Sequence, residues 1–219
     1  MSEKYVNVIR VILGEKMRIS RINNYDDNRF SQEALNQHGC YLVNGDVPIE
    51  IKIISQREAL IKGDEAYFGE VIDEFRFNAE QITRFYDQKS GKIVKTFKDL
   101  EFFKLDLGKI QPIQFFVDRD KLEAVRTFVN REEDVIIPVV MHEGTYASLD
   151  GHTLLYLAHI LGFKHVYAYL SQDFDNFDYF FDEARKRNIY TAKDLTLLEH
   201  EEYKEKWDKF CDDYYMRRE

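Results

Sequence analysis

The stretch VIIPVVMHEGTYASLDGHTLLYLAHILGFKHVYAYL, residues 135–170, decides which kind of fold this chain can adopt. VIIPVVM, 135–141, is apolar and rich in β-branched side chains and reads as a buried strand; His142-Glu143-Gly144 reads as a turn, and TYASL, 145–149, as a second strand. After Asp150-Gly151-His152-Thr153 the period changes. Leu154, Leu157, Ala158 and Leu161 recur at i, i+3, i+4 and i+7, one face of a helix that Gly162 stops. HVYAYL, 165–170, is a strand again. A hairpin, a helix and a returning strand build a sheet layer with a helix packed on it, an α+β arrangement. If the hairpin pairs across residues 142–144, Asp150 lies opposite Ile136. His142 is then about five residues away along the strand, roughly 17 Å, and is not expected to share a site with Asp150.

The same alternation extends outward. FFKLDL, 102–107, reads as a strand, GKIQPIQFFV, 108–117, as a proline-containing loop, and DKLEAVRTFV, 120–129, as a helix. The tail, 171–219, is helical by pattern. Phe174, Phe177, Phe181 and Ala184 form one apolar stripe, and Tyr203, Trp207, Phe210, Cys211 and Tyr214 another, both suited to packing on the main domain. Residues 1–99 read as a smaller α+β unit. It has a strand over 5–13, a helix within DDNRFSQEALNQHG capped by Asp26 or Asp27 and stopped by Gly39, and a hairpin with a type I′ turn at Asn44-Gly45. ALIKG, 59–63, adds a strand; Phe68, Val71, Ile72 and Phe75 mark an amphipathic helix, and a hairpin turning at Gly91 closes the unit. The expected organisation is therefore 1–99, an N-terminal α+β unit; 100–170, a mixed sheet with packed helices; and 171–219, a C-terminal helical extension.

Composition bounds the function. Over 219 residues the chain is 44% apolar and 15% aromatic, with aromatics throughout its length, so both halves are expected to fold. Its formal net charge is −9, with nearly all the excess acid after residue 100 and no dense basic run, which makes DNA an unlikely partner. Cys40 and Cys211 match no disulfide framework and no zinc spacing, as in a reducing cytosol. No apolar run approaches the roughly 20 residues of a membrane span, so a cytoplasmic location without membrane contact is expected.

The chemistry, if any, is expected at Asp150-Gly151-His152-Thr153. The first N–H groups of a helix lack intrahelical partners and the helix dipole is positive there, so an anion suits the position. Gly151 would let a phosphate approach the backbone, Asp150 or Thr153 would cap the helix or hold a metal, and His152 would donate to a phosphate or shuttle a proton. The same tetrapeptide also suits an ordinary helix cap, since Asp and Thr are favoured there. Glu132, Glu133 and Asp134 are further candidates for a magnesium ligand, and otherwise a solvated loop.

LGKIQPIQFFVDRDKLEAVRTFV, 107–129, resembles the first conserved box of the ParB/sulfiredoxin domain, and IIPVVMHEGTYASLDGHTLLYLAHILGFKHVYAYL, 136–170, resembles its second. The resemblance covers about a third of the chain, and the flanks are similar to an extended bacterial branch of that family with DGHHR-type members. It implies a ParB/sulfiredoxin-like mixed sheet and a loop at Gly151-His152-Thr153 that binds nucleotide phosphates. The family holds CTP-dependent partition proteins, an ATP-dependent peroxiredoxin-repair enzyme and free-serine kinases. The implied cofactors are ATP, ADP or CTP with Mg2+ at Asp150, the implied catalytic pair His152 and Asp150, and the implied ligand-binding residues Gly151, His152, Thr153 and Gln114. This chain departs from the family in three places. His152 stands where sulfiredoxins carry their cysteine, Thr153-Leu154 where kinase-like members carry His-Arg, and Gln114 where those members carry a carboxylate; Asp118 or Asp120 is a candidate to replace that carboxylate, and otherwise an N-cap and a first-turn acid. A bound phosphate would then be met by backbone amides, magnesium, or a cation such as Lys121, Arg119 or Lys164. Two readings follow: a binder of a nucleotide or other phosphate-bearing small molecule, with Mg-dependent phosphotransfer or hydrolysis, or a non-catalytic interaction module with a degenerate site. On the first, His152→Ala is expected to weaken nucleotide binding with little loss of stability.

Overall fold

The computed structural model of the protein describes residues 8–12, 15–172 and 175–217. The architecture is α+β, and the chain divides between Asp99 and Leu100 into two compact units, each with its own core. Part of the strand expected over 5–13, and Phe174 of the tail stripe, lie outside the described residues.

In the first unit, β1 (Val8–Ile12), β2 (Glu15–Arg21), β3 (Cys40–Val43), β4 (Val47–Ile53), β5 (Glu58–Lys62), β6 (Arg84–Asp87) and β7 (Ile93–Thr96) form one sheet in sequence order. Helix α1 (Gln32–Asn36) precedes β3, and α2 (Phe68–Arg76) connects β5 to β6. All neighbours pair antiparallel except β5 and β6, which are parallel because α2 carries the chain back across the sheet. The α2 residues Phe68, Val71, Ile72 and Phe75 are all buried in one core with Tyr41, Ile49, Ile51, Ile61 and Phe85.

Two local expectations fail here for identifiable reasons. Helix α1 starts later than its acidic stretch suggests: Ser31 is the N-cap, accepting from the Ala34 N–H at 3.4 Å, while the Asp27 carboxylate holds the Arg29 backbone and guanidinium. At its end His38, not Gly39, takes the positive φ of 56°. Gly39 is required for space instead, because a Cβ there would stand 1.9 Å from the Ile51 carbonyl oxygen. The hairpin at Asn44-Gly45 has both residues at positive φ, but Val43 pairs with Val47, so the loop holds three residues rather than two.

The second unit contains β8 (Phe103–Asp106), β9 (Ile110–Pro112), β10 (Phe116–Asp118), α3 (Arg119–Arg126), β11 (Ile136–His142), β12 (Thr145–Ser148), α4 (His152–Ile160), β13 (His165–Leu170), α5 (Phe177–Lys186), β14 (Thr196–Leu198), α6 (His200–Tyr203) and α7 (Lys209–Met216). Five strands form a curled, half-barrel sheet in the order β8-β13-β11-β12-β9. The pairs β11–β13 and β12–β9 are parallel, and β11–β12 and β13–β8 antiparallel. Ile137, Val139, Val166 and Ala168 of the sheet share one buried core with Leu155, Leu157 and Ala158 of α4, and with Phe177, Phe181, Ala184, Trp207 and Cys211 of the tail. At about 1.5–3 kcal/mol for each large apolar side chain buried, the tail is part of this unit's stability rather than a cover laid over it.

Three further differences matter for the site. The hairpin 135–149 turns on two residues, Glu143 and Gly144, both at positive φ, so His142 pairs with Thr145 and Leu149 meets Pro138. The register is thus one residue away from that expected, with Asp150 beyond Pro138 on the Ile137 side. Second, GKIQPIQFFV is not a loop but contains β9 and β10, and the tail is not wholly helical, because Thr196–Leu198 pairs parallel with Phe116–Asp118. Third, Lys204–Asp208 between α6 and α7 is a π-helical turn. Tyr203, Trp207 and Cys211 recur every four residues, more than the 3.6 of an α-helix, and the wider turn keeps all three buried.

Candidate functional site

The amino terminus of α4 is built by the switch from β12 into a helix without a full loop. Gly151 is the N-cap, in the left-handed region at φ 76°, and no side chain caps the helix. Asp150 is exposed and its Oδ1 accepts from the adjoining Gly151 N–H at 2.7 Å. Neither Asp150 nor Thr153 thus acts as the helix cap. Gly151 serves the fold in two ways: its φ disfavours a side chain, and a Cβ would come within 2.6 Å of the Ile137 Cδ1. The space beside this glycine is filled by Ile137, so its lack of a Cβ does not itself open a path for a phosphate.

His152 points inward. Its ring is buried, the Nε2 accepts from the Ile113 N–H at 3.2 Å, and the ring makes a second backbone hydrogen bond with Ser148. Burial pushes its pKa down to about 4, against the pull of the nearby Asp150 carboxylate. The imidazole is therefore neutral near pH 7, with Nε2 as acceptor, and it ties the end of β9 to the end of β12. Gln114 is likewise engaged, its amide donating to the Phe116 carbonyl and to the Tyr203 hydroxyl at 3.2 Å. Leu154 is half-buried in the core face of α4, as its spacing suggests.

Several carboxylates act on the Tyr203 phenol, Asp150 of this turn among them. Burial of the Tyr203 phenol raises its pKa well above the usual value, and the carboxylates of Asp208, Asp118 and Asp150 add to that shift. The Lys121 ammonium stands 4.8 Å from the Tyr203 ring centroid. Burial also raises the Asp208 pKa, with Lys121 opposing and Asp118 reinforcing. Of the other cations, Arg119 is paired with Glu199 at 2.5 Å.

The β10–β14 pairing brings together residues that no spacing in the sequence links. Asp118 lies opposite Leu198 at the strand ends, so Asp118 and Asp120 at the start of α3 come beside His200 at the start of α6. The His200 Nδ1 is 2.8 Å from Asp118 Oδ2 and 3.9 Å from Asp120 Oδ2. No local spacing links His200 to Asp118, because the strand that joins them, Thr196–Leu198, is three residues long and shows no alternation.

The remaining candidates are committed elsewhere. Glu132 accepts from the Lys164 and His165 N–H groups and pairs with Lys104 at 2.9 Å, which holds its carboxyl down at about 2. Asp134 accepts from the Asn130 and Arg131 N–H groups. His142 packs its ring on Phe177 and Phe181, apart from the turn. Cys211 is buried and its thiol is pushed up to about 11, mainly by burial, so it holds no thiolate near neutral pH.

No protein-family model and no curated protein matches the chain. Among solved structures, protein Atu1540 from Agrobacterium tumefaciens is similar at 19% identity and a TM-score of 0.33, over 45% of this chain. That match spans 63% of the Agrobacterium protein, less than two thirds of its length.

Proposed function

We propose that residues 100–219 form a ParB/sulfiredoxin-like unit that binds a nucleotide, or another phosphate-bearing small molecule, at the amino terminus of α4. The observation that carries this reading is the uncapped leading turn of a nine-residue helix, whose N-cap is a glycine at φ 76°. Free N–H groups and the positive end of the dipole favour an anion there. In this reading the Thr153 backbone N–H and hydroxyl meet the phosphate, Gly151 sets the backbone of the turn while its N–H holds Asp150 in place, and exposed Asp150 holds Mg2+ against the phosphate. Lys121 supplies a nearby positive charge. His152 acts as a positioning residue, since its ring is turned into the protein and its two hydrogen bonds hold the turn in place.

The test is a thermal-shift series with ATP, ADP and CTP, each with and without Mg2+, on wild type and Thr153→Asp. A ligand that binds only the folded state raises the melting temperature by mass action. Aspartate in the first turn of α4 suits the helix dipole, so the variant should be at least as stable as wild type while repelling phosphate. A magnesium-dependent rise of Tm in wild type, lost in Thr153→Asp, is the expected result. The absence of any rise at millimolar nucleotide would leave the second reading, a non-catalytic interaction module. Two observations favour that alternative: the burial of His152 and the apolar Leu154 at the third helical position.

A further inference from the structure

We infer that Asp118, Asp120 and His200 form a binding site for a first-row divalent cation of the zinc, cobalt or manganese type. The site is separate from any magnesium at Asp150 and does not depend on a nucleotide. Three donors, Asp118 and Asp120 carboxylate oxygens and His200 Nδ1, lie within 4.8 Å of one another. They come from two segments that leave the parallel pair β10–β14 side by side.

The distances suit an ion. With metal–nitrogen and metal–oxygen bonds of about 2.0–2.2 Å, tetrahedral donors stand about 3.4 Å apart. The two His200 separations, 2.8 Å to Asp118 and 3.9 Å to Asp120, bracket that value. The adjustment falls on the more accessible groups, because the His200 side chain is 38% and that of Asp120 53% accessible, whereas Asp118 is 1% accessible and fixed by accepting from the Asp120 N–H at 2.9 Å. One rigid carboxylate and two adjustable donors facing solvent leave coordination positions for water or another ligand.

The charge balance points the same way. Two carboxylates face one imidazole, and Arg119 is occupied by Glu199. A buried carboxylate is costly unless it is paired or coordinates a cation. The cation would bind Nδ1 in place of the present Asp118 contact, with the single ring proton of a neutral imidazole carried on Nε2. One imidazole with two carboxylates selects a transition-type ion over magnesium or calcium, which prefer oxygen alone.

The test uses the full chain, free of any affinity tag and stripped by chelator, titrated with Co2+ followed by visible absorption and with Zn2+ by calorimetry. The expected result is one equivalent bound with micromolar or tighter affinity and an intense low-coordinate cobalt band. Asp120→Asn and His200→Asn should each weaken binding at least tenfold and diminish that band. Asp118→Asn bears on folding because Asp118 caps α3, so exposed Asp120 and half-buried His200 carry the test. Binding no tighter than millimolar, or tight binding left unchanged by both variants, would overturn the site. The Asp118–His200 pair would then be only a latch between α3 and α6.

Discussion

A histidine at a helix start is a different object when its ring faces inward. His152 has both ring nitrogens engaged by backbone groups, so His152→Ala would leave the Ile113 N–H and the Ser148 hydrogen bond without a partner inside the protein. At about 1–3 kcal/mol for each stranded group, the loss should be of order 3 kcal/mol, contrary to the small cost expected from sequence. The same burial sets a pH dependence. With the folded pKa lowered from 6.5 to about 4, the unfolded chain takes up the proton first as pH falls. The stability linked to His152 is therefore fully present above pH 6.5 and is lost progressively towards pH 4, by about 3 kcal/mol in all. Urea midpoints measured between pH 7 and 4.5 should fall in wild type and show a flatter dependence in His152→Asn. Equal slopes would mean that the ring is not held neutral. No pattern in the sequence distinguishes this inward ring from an outward one, because both suit the first position of α4.

At the scale of elements, glycines at two junctions do different work. Gly151 needs its left-handed backbone, so Gly151→Ala should cost about 1–2 kcal/mol, with the Ile137 methyl moving aside. Gly39 has no such backbone demand, but an added Cβ would strike the Ile51 carbonyl at 1.9 Å, backbone against backbone. Gly39→Ala should accordingly destabilise the first unit more than Gly151→Ala destabilises the second, as thermal denaturation of the two variants would reveal. Helix α2, α3 and the strand-turn-strand-helix run of 136–160 were legible because each carries a full period of burial, and the hairpin 84–96 because Gly91, at positive φ, marks its turn. The three-residue strands β9, β10 and β14 were not, because an element of that length completes no period and exists by virtue of its partner. The turns at 44–46 and 143–144 show the same limit: positive-φ residues mark where the chain reverses, but one residue more or fewer in the loop is set by the strands on either side.

For the whole molecule, two separate cores predict two separable pieces. A fragment beginning at Leu100 should fold cooperatively with the core of Ile137, Leu157, Phe181 and Trp207 intact, whereas one ending at Leu170 should not, because it loses the tail's share of that core. Circular dichroism melts of the two fragments decide this; a cooperative 100–170 fragment would show the tail to be dispensable. No helix among the described residues is long and apolar enough to cross a membrane. What the sequence determined by itself was the α+β character, the change at residue 99, and the turn at Asp150-Gly151-His152-Thr153, since local periodicity and backbone chemistry are written in neighbouring residues. What only the tertiary structure decided was which way His152 faces, that Ile137 occupies the space beside Gly151, and that His200 meets Asp118 across 82 residues of chain. Those facts depend on packing between segments distant in sequence, and no local spacing encodes which distant surface a side chain will meet.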